Sequence, residues 1–368
     1  MLLTIPDDLA RGPVLLRPDN FTPLHRTPWA GTDIAERYKS EIVALDDTRI
    51  GESWEFSCDP SFPSRLVEGD YTLEDFIRSC PEAVLSKQAV RRRGTHCDIL
   101  VKLLNAASPL SLQVHPDDGN PHLGRQECGK PESWLVLHAS PGAGLYLGFS
   151  RILTEAELMR RLWENDEVAD MLQFVPVKDN DYFDIGPGVP HAIGPGVTLL
   201  EPQRVPFGKT GKTYRLWDWG RRYDAHGELD LEHGKPRPLH LEAGCRLLQP
   251  TQQVGMQFVD GLRRQPAISS PGTGIVCRSF PPNNHYQTVC IDIASGSSIP
   301  VKICDGYGAV FAVSGVTAMQ GQNRHTTLLV KGQSALLPHA ASPFEFATNE
   351  QESSLTVVIP ASARIDFG

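Results

Sequence analysis

Short runs rich in β-branched and aromatic residues, broken by clusters of Gly, Pro, Asn and Asp, set the hydrophobic pattern of this chain. That rhythm predicts strands joined by turns, as in a sandwich or barrel. In the first part it is carried by residues 98–104, 110–115, 133–138, 144–149, 181–185 and 197–201. Helical spacing is confined to three places. Residues 71–86 begin TLEDF and place Leu73, Phe76 and Ile77 on one face, with Pro81 breaking or restarting the helix. Thr154 and Glu157 form a capping box ahead of Leu158, Leu162, Val168 and Met171, which predicts a helix ending near Phe174. Residues 241–249 are a weaker third candidate, interrupted by Gly244. Past Pro250 the helical signals stop and a second strand series begins; residues 310–339 echo residues 135–191, each stretch ending in a turn followed by Pro-His. The pattern therefore predicts two related β-barrels in tandem: residues 1–250 with helical insertions, then residues 251–368.

Composition agrees with a folded, turn-rich protein. The 368 residues include 32 Gly, 30 Pro and six Trp, and 40% are hydrophobic, enough for a substantial core. A net charge of −9 argues against a surface built to hold nucleic acid or anionic lipid. The only basic run, Arg91, Arg92 and Arg93, reads as a solvated loop. Eight cysteines are scattered without a CxxC pair, as in a reducing compartment. The opening MLLTIPDDLARGP has too short an apolar stretch for a secretory leader, and no run of about 18 apolar residues occurs, so a cytoplasmic protein with no membrane partner is expected. Without a leader, Asn20-Phe21-Thr22 is a chance match to a glycosylation acceptor.

The densest polar group inside apolar strand sequence is Ser111-Leu112-Gln113-Val114-His115. Strand alternation puts Ser111, Gln113 and His115 on one face. Two ligand-type side chains two residues apart converge on one point, as a metal requires. Alone, the pair reads more simply as hydrogen-bonded strand residues, Glu132 as a surface acid and His191 as a capped loop histidine. Together, Gln113, His115, Glu132 and His191 supply four ligands on three neighbouring strands. The second barrel repeats only Pro338-His339, without Gln-x-His or Gly-Lys-Pro-Glu partners, so one divalent ion per chain is expected and His339 reads as structural. The run GKTGKT (208–213) has no glycine five residues before either Gly-Lys-Thr, which excludes a nucleotide phosphate loop.

The runs GESWEFS (51–57), LVKLLNAASPLSLQVHPDD (100–118), GKPESW (129–134), VPHAIG (189–194) and TYRLWDW (213–219), in this order, resemble class I mannose-6-phosphate isomerases. The resemblance covers residues from about 14 to 245 and implies two tandem cupin (jelly-roll) barrels and interconversion of mannose 6-phosphate and fructose 6-phosphate through an enediol. It places zinc on Gln113, His115, Glu132 and His191, active-site lysines at Lys102 and Lys130, a hydroxyl at Ser111 and an arginine at Arg215. Lys130 and Arg215 are then candidate catalytic residues, with Ser111 and Lys102 at the substrate. The residue types suit the chemistry: one carboxylate with three neutral ligands leaves a divalent ion positive enough to meet an enediolate. Lys209 and Lys212, close in sequence to Arg215 on a glycine-containing loop, are candidate contacts for the substrate's phosphate, against the reading of two exposed lysines. Two other readings stay open: another cupin enzyme such as an iron oxygenase, which Gln113 suits poorly, and a sugar-binding cupin without turnover.

Overall fold

The computed structural model describes residues 7–44 and 47–368; residues 1–6, the start of the segment read as lacking a leader, lie outside them. The fold is mainly β. One five-stranded sheet has the spatial order Glu52–Phe56, Ile99–Ala106, Val197–Arg204, Glu132–Ala139, Tyr182–Ile185. The facing sheet has the order Tyr214–Trp217, Leu112–Val114, His191–Ile193, Gly144–Phe149, Leu172–Pro176. Leu104, Trp134, Val136, Leu145, Leu147, Ile193 and Leu199 fill part of the space between the two sheets.

A second pair of sheets, of seven and five strands, follows in the C-terminal part and encloses its own core, with Val289, Ile291, Val357, Phe344 and Phe346 among its side chains. The N-terminal strand Val14–Leu15 crosses over to join it, pairing with Leu336 and Ala335. A third cluster joins the two halves: Phe56, Val101, Leu103, Leu135, Tyr182 and Leu200 meet Phe280, Tyr286, Phe311 and Val358, and Tyr182 stacks on Phe280 with ring centres 4.1 Å apart. The strands Ile99–Ala106 and Glu132–Ala139 are thus covered on both faces, which explains why they read as nearly continuous apolar runs.

Three local expectations need correction. Arg91, Arg92 and Arg93 form the last turn of a helix, Lys87–Arg93, started by Ser86 accepting from the Ala89 N–H; cations at a helix C-terminus are favourable there. The helix that begins after Thr154 ends at Glu164, where Asn165 takes φ 56°. Val168 and Met171 continue the apolar spacing because a 3-10 turn carries them into the same core as Leu158 and Leu162, not because the helix extends. Past Pro250 a helix does form, Gly255–Leu262. Its two glycines weaken the sequence signal, and burial of Val259 in the core of the first sheet pair supplies the stability.

Candidate metal centre and adjoining cavity

The two facing sheets of the first pair bring the candidate residues together. Gln113 lies opposite His191 on one side and opposite Arg215 on the other, so these three side chains share a face with His115, two residues further on. From the other sheet, Glu132 points across, and with Trp134 and Val136 it occupies the inward positions of a strand whose Leu135 faces the C-terminal half.

His115, Glu132 and His191 are buried, and one ligand atom of each lies within 4.8 Å of the others. Nε2 of His115 is 3.3 Å from Oε2 of Glu132, and Nε2 of His191 is 3.5 Å from Oε1. The other ring nitrogens are committed: Nδ1 of His115 lies 3.1 Å from the Lys212 carbonyl, Nδ1 of His191 2.8 Å from the Val189 carbonyl. A carbonyl only accepts, so each Nδ1 carries the proton and each Nε2 presents a lone pair. Both Nε2 atoms are buried without a hydrogen-bond partner, and they face a carboxylate. Burial and the positive charge of Lys130 lower the His115 pKa, and burial with His115 beside it takes His191 to about 3, so both rings are neutral near pH 7. Burial opposes the charge on Glu132, but Lys130 and the two histidines hold its carboxyl well below the usual range. Lone pairs gathered round one carboxylate repel unless a cation sits among them, and two imidazoles with a carboxylate form a donor set for a divalent transition metal. The carbonyl bonds at Nδ1 are the outer contacts that orient such ligands.

Beside this cluster opens a cavity of about 440 Å³ lined by Ser111, Gln113, Lys102, Lys130, Glu201 and Arg215, among others. Lys130 Nζ is 3.0 Å from Glu132 Oε2. Burial works against its charge, but Glu132 and Glu201 raise its pKa overall. Lys102 resolves its position in an apolar strand by pointing into the cavity, 4.3 Å above the Trp54 ring and within 4 Å of Glu52 and Glu201. Arg215 donates from Nε to Ser111 Oγ at 3.3 Å and from Nη1 to the Pro238 carbonyl at 3.0 Å. Burial, then the neighbouring Arg237, lowers its pKa to about 10, which leaves it charged at neutral pH.

Lys209 and Lys212 do not line this cavity. Lys209 Nζ donates to the Arg125 carbonyl, and Lys212 Nζ pairs with Glu127, each at 2.6 Å. The loop turns their side chains away, and Lys212 contributes only its backbone carbonyl to the centre. Gly211 between them packs on Lys130, whose Cγ would lie 3.0 Å from a Cβ there.

Sequence reasoning missed Glu201, Gln203 and Arg237. Glu201 accepts from Trp134 Nε1 at 3.1 Å and from Gln203 Nε2, and that same nitrogen donates to Glu132 Oε2 at 3.0 Å. Burial, then the charge of Glu132, raises the Glu201 pKa to about 7 despite Lys130 and Lys102 nearby. Its signal was an acid in the apolar run VTLLE, directly across the ladder from Lys102. Arg237 also lines the cavity, held by Asp218 at 2.6 and 2.7 Å, a carboxylate it shares with Arg221.

Residues 22–135 match the family model of the phosphomannose isomerase type I catalytic domain. A mannose-6-phosphate isomerase of Streptococcus mutans is 29% identical over 256 residues, 67% of this chain and 74% of that protein. Mannose-6-phosphate isomerase ManA of Bacillus subtilis is 30% identical over 222 residues, 60% of this chain and 64% of that protein. Among solved structures, that of a Bacillus subtilis mannose 6-phosphate isomerase superposes with a TM-score of 0.75 over 94% of this chain and 99% of the other, at 22% identity. A zinc-bound mannose 6-phosphate isomerase superposes at 0.68, over 94% and 99%, at 16% identity. The segment that is similar to the type I phosphomannose isomerase catalytic domain contains Gln113, His115 and Glu132, and the likeness in fold extends over nearly the whole chain.

Proposed function

We propose that this protein is a mannose-6-phosphate isomerase that interconverts mannose 6-phosphate and fructose 6-phosphate by moving a proton between C1 and C2 through an enediol. The observation that carries the reading is the pair of orphaned imidazole nitrogens aimed at Glu132, beside a cavity lined by cations and one acid of raised pKa. Gln113, His115, Glu132 and His191 would hold one zinc ion, which when bound supplies positive charge to polarise sugar oxygens. Glu201, near half ionisation at neutral pH, accepts the carbon-bound proton and returns it to the adjacent carbon. Gln203 holds Glu201 in register with Glu132, and Trp134 Nε1 fixes its second oxygen. Lys102 and Lys130 stabilise the charge that develops on the enediolate oxygens. Arg215 and Arg237 meet the phosphate: two guanidiniums lining one cavity repel each other until a dianion neutralises them. Ser111 steadies Arg215.

The zinc-bound relative and the isomerases among the curated relatives support this reading over the oxygenase and binding-only alternatives. We place the division between the two units after the helix Gly255–Leu262, beyond the boundary expected at residue 250, because Val259 is buried in the first core. Among the described residues no helix is long and apolar enough to cross a membrane. A coupled assay of fructose 6-phosphate formation tests the function. Turnover with the metal-loaded protein, abolished by chelation and restored by zinc, is expected. Oxygen uptake without isomerisation, or binding of mannose 6-phosphate without turnover, would replace it with one of the alternatives.

A further inference from the structure

Pro202 lies in the central strand of the sheet that carries Glu132, a place where its missing N–H costs the ladder a bond. The strands Val197–Arg204 and Glu132–Ala139 pair Leu200 with Leu135 and Gln203 with Glu132, and the pairing breaks in between, where Pro202 falls opposite Ser133. Glu132 and Glu201 flank this break. A side chain from the C-terminal sheet pair spans it. Tyr286 is buried at the start of the strand Tyr286–Ile293; its hydroxyl donates to the Pro202 carbonyl at 2.8 Å, and its oxygen lies 3.0 Å from Ser133 Oγ. Ser133 is equally close to Asp184 Oδ1 on the next strand, so its one proton serves either neighbour. Asn283 closes the group, accepting from the Tyr286 N–H at 2.9 Å and donating to Asp184 at 3.2 Å. Burial pushes the Tyr286 pKa well above the usual phenol value, so the hydroxyl keeps the proton it donates. Ser133 and Pro202 alternate along their strands with the inward-facing Glu132, Glu201 and Gln203. Tyr286 therefore stands behind the cavity and reaches it only through the two strands.

We propose that Tyr286 is a positioning residue for the isomerisation: by tying the strands of Glu132 and Glu201 together where their ladder is broken, its hydroxyl sets the base against the metal centre. This role rests on the isomerase reading and on Glu201 as its base.

The test compares the full-length, zinc-loaded protein with its Tyr286→Phe variant. With mannose 6-phosphate, kcat is expected to fall about tenfold, because a small misplacement of a reacting group is costly, while KM and zinc content stay as in the wild type. Hydrogen exchange over residues 132–139 and 197–204 is expected to quicken. Pro202→Ala added to Tyr286→Phe returns an N–H opposite Ser133 and should restore most of kcat and slow the exchange again. Unchanged kcat with a lowered Tm would make Tyr286 a purely structural residue and overturn the proposal, as would loss of zinc in step with activity or no recovery in the double variant. Should Tyr286→Phe not fold, Ser133→Ala removes the other contact and must show the same fall in kcat at constant KM; full activity there overturns the proposal equally. A wild type that does not turn over mannose 6-phosphate overturns the isomerase reading itself, whereas turnover by the wild type beside an unaffected variant overturns the role of Tyr286 alone.

Discussion

A buried carboxylate with a pKa of about 7 ties the proposed chemistry to a pH range. Glu201 can act as a base only when deprotonated, so kcat/KM should rise with pH and level off above about 7. Glu201→Gln should lower kcat by about 10²–10⁴-fold with metal content unchanged; a flat pH profile, or full activity in the variant, would remove Glu201 from the mechanism. The ligands behave differently. His115→Ala or His191→Ala should lose metal and activity together, because three remaining donors hold zinc poorly, and elemental analysis of the purified variants reads this directly. At this scale alternation along strands put Ser111, Gln113 and His115 on one face, since polar side chains two apart in an apolar run must face something polar, whereas Lys102 was placed at the site only by the family resemblance. Glu201 obeyed the same rule and was still missed, because the significance of a lone acid comes from its neighbour across the ladder. Lys209 and Lys212 show the opposite failure: nearness in sequence to Arg215 said nothing about the direction in which the loop turns them.

Between elements, a buried ion pair fastens the two halves of the chain. Lys39 Nζ lies 2.7 Å from Glu55 Oε1 and donates to the Gly332 carbonyl, and Ser334 donates to Glu55 Oε2 at 2.8 Å. Residues of the N-terminal part thus close onto the strand Ser334–Leu337 of the C-terminal sheet. Lys39→Met should destabilise the protein by about 3–5 kcal/mol in denaturant unfolding, because it strands the Glu55 charge. Adding Glu55→Leu should recover much of that loss; a double variant no better than the single one would mean that packing, not charge, sets the cost. Nothing in the sequence marks this pair, whose partners are 16 residues apart and whose third member is at position 332. The helices show where local signals suffice. Thr154 accepts from the Glu157 N–H as its spacing predicts, and Pro81 separates Leu73–Ser79 from Pro81–Leu85. Their ends, and the existence of Gly255–Leu262, depend on burial against distant strands and so were not legible.

Across the whole molecule, the cluster joining Phe56, Val101 and Leu135 to Phe280, Tyr286 and Phe311 makes the two sheet pairs interdependent. Calorimetry should therefore show one unfolding transition, and two well-separated transitions would contradict this. Chelation should lower the Tm through loss of a ligand bound only by the native state while sheet circular dichroism persists, since among the described residues the one group fit for a metal lies in the first pair. The mainly β class, the two strand series and the convergence of the ligands were readable from the strand and turn rhythm. The crossover of Val14–Leu15 into the C-terminal sheet was not, because a two-residue strand leaves no periodicity to read. Isomerisation of a phosphorylated hexose at the proposed centre of His115, Glu132 and His191 is read by ¹³C NMR of C1-labelled mannose 6-phosphate incubated with protein holding one zinc per chain. Label should appear at C1 of fructose 6-phosphate with the zinc-loaded protein and not with the His191→Ala variant; an unchanged mannose 6-phosphate spectrum with the zinc-loaded wild type would rule the isomerase out.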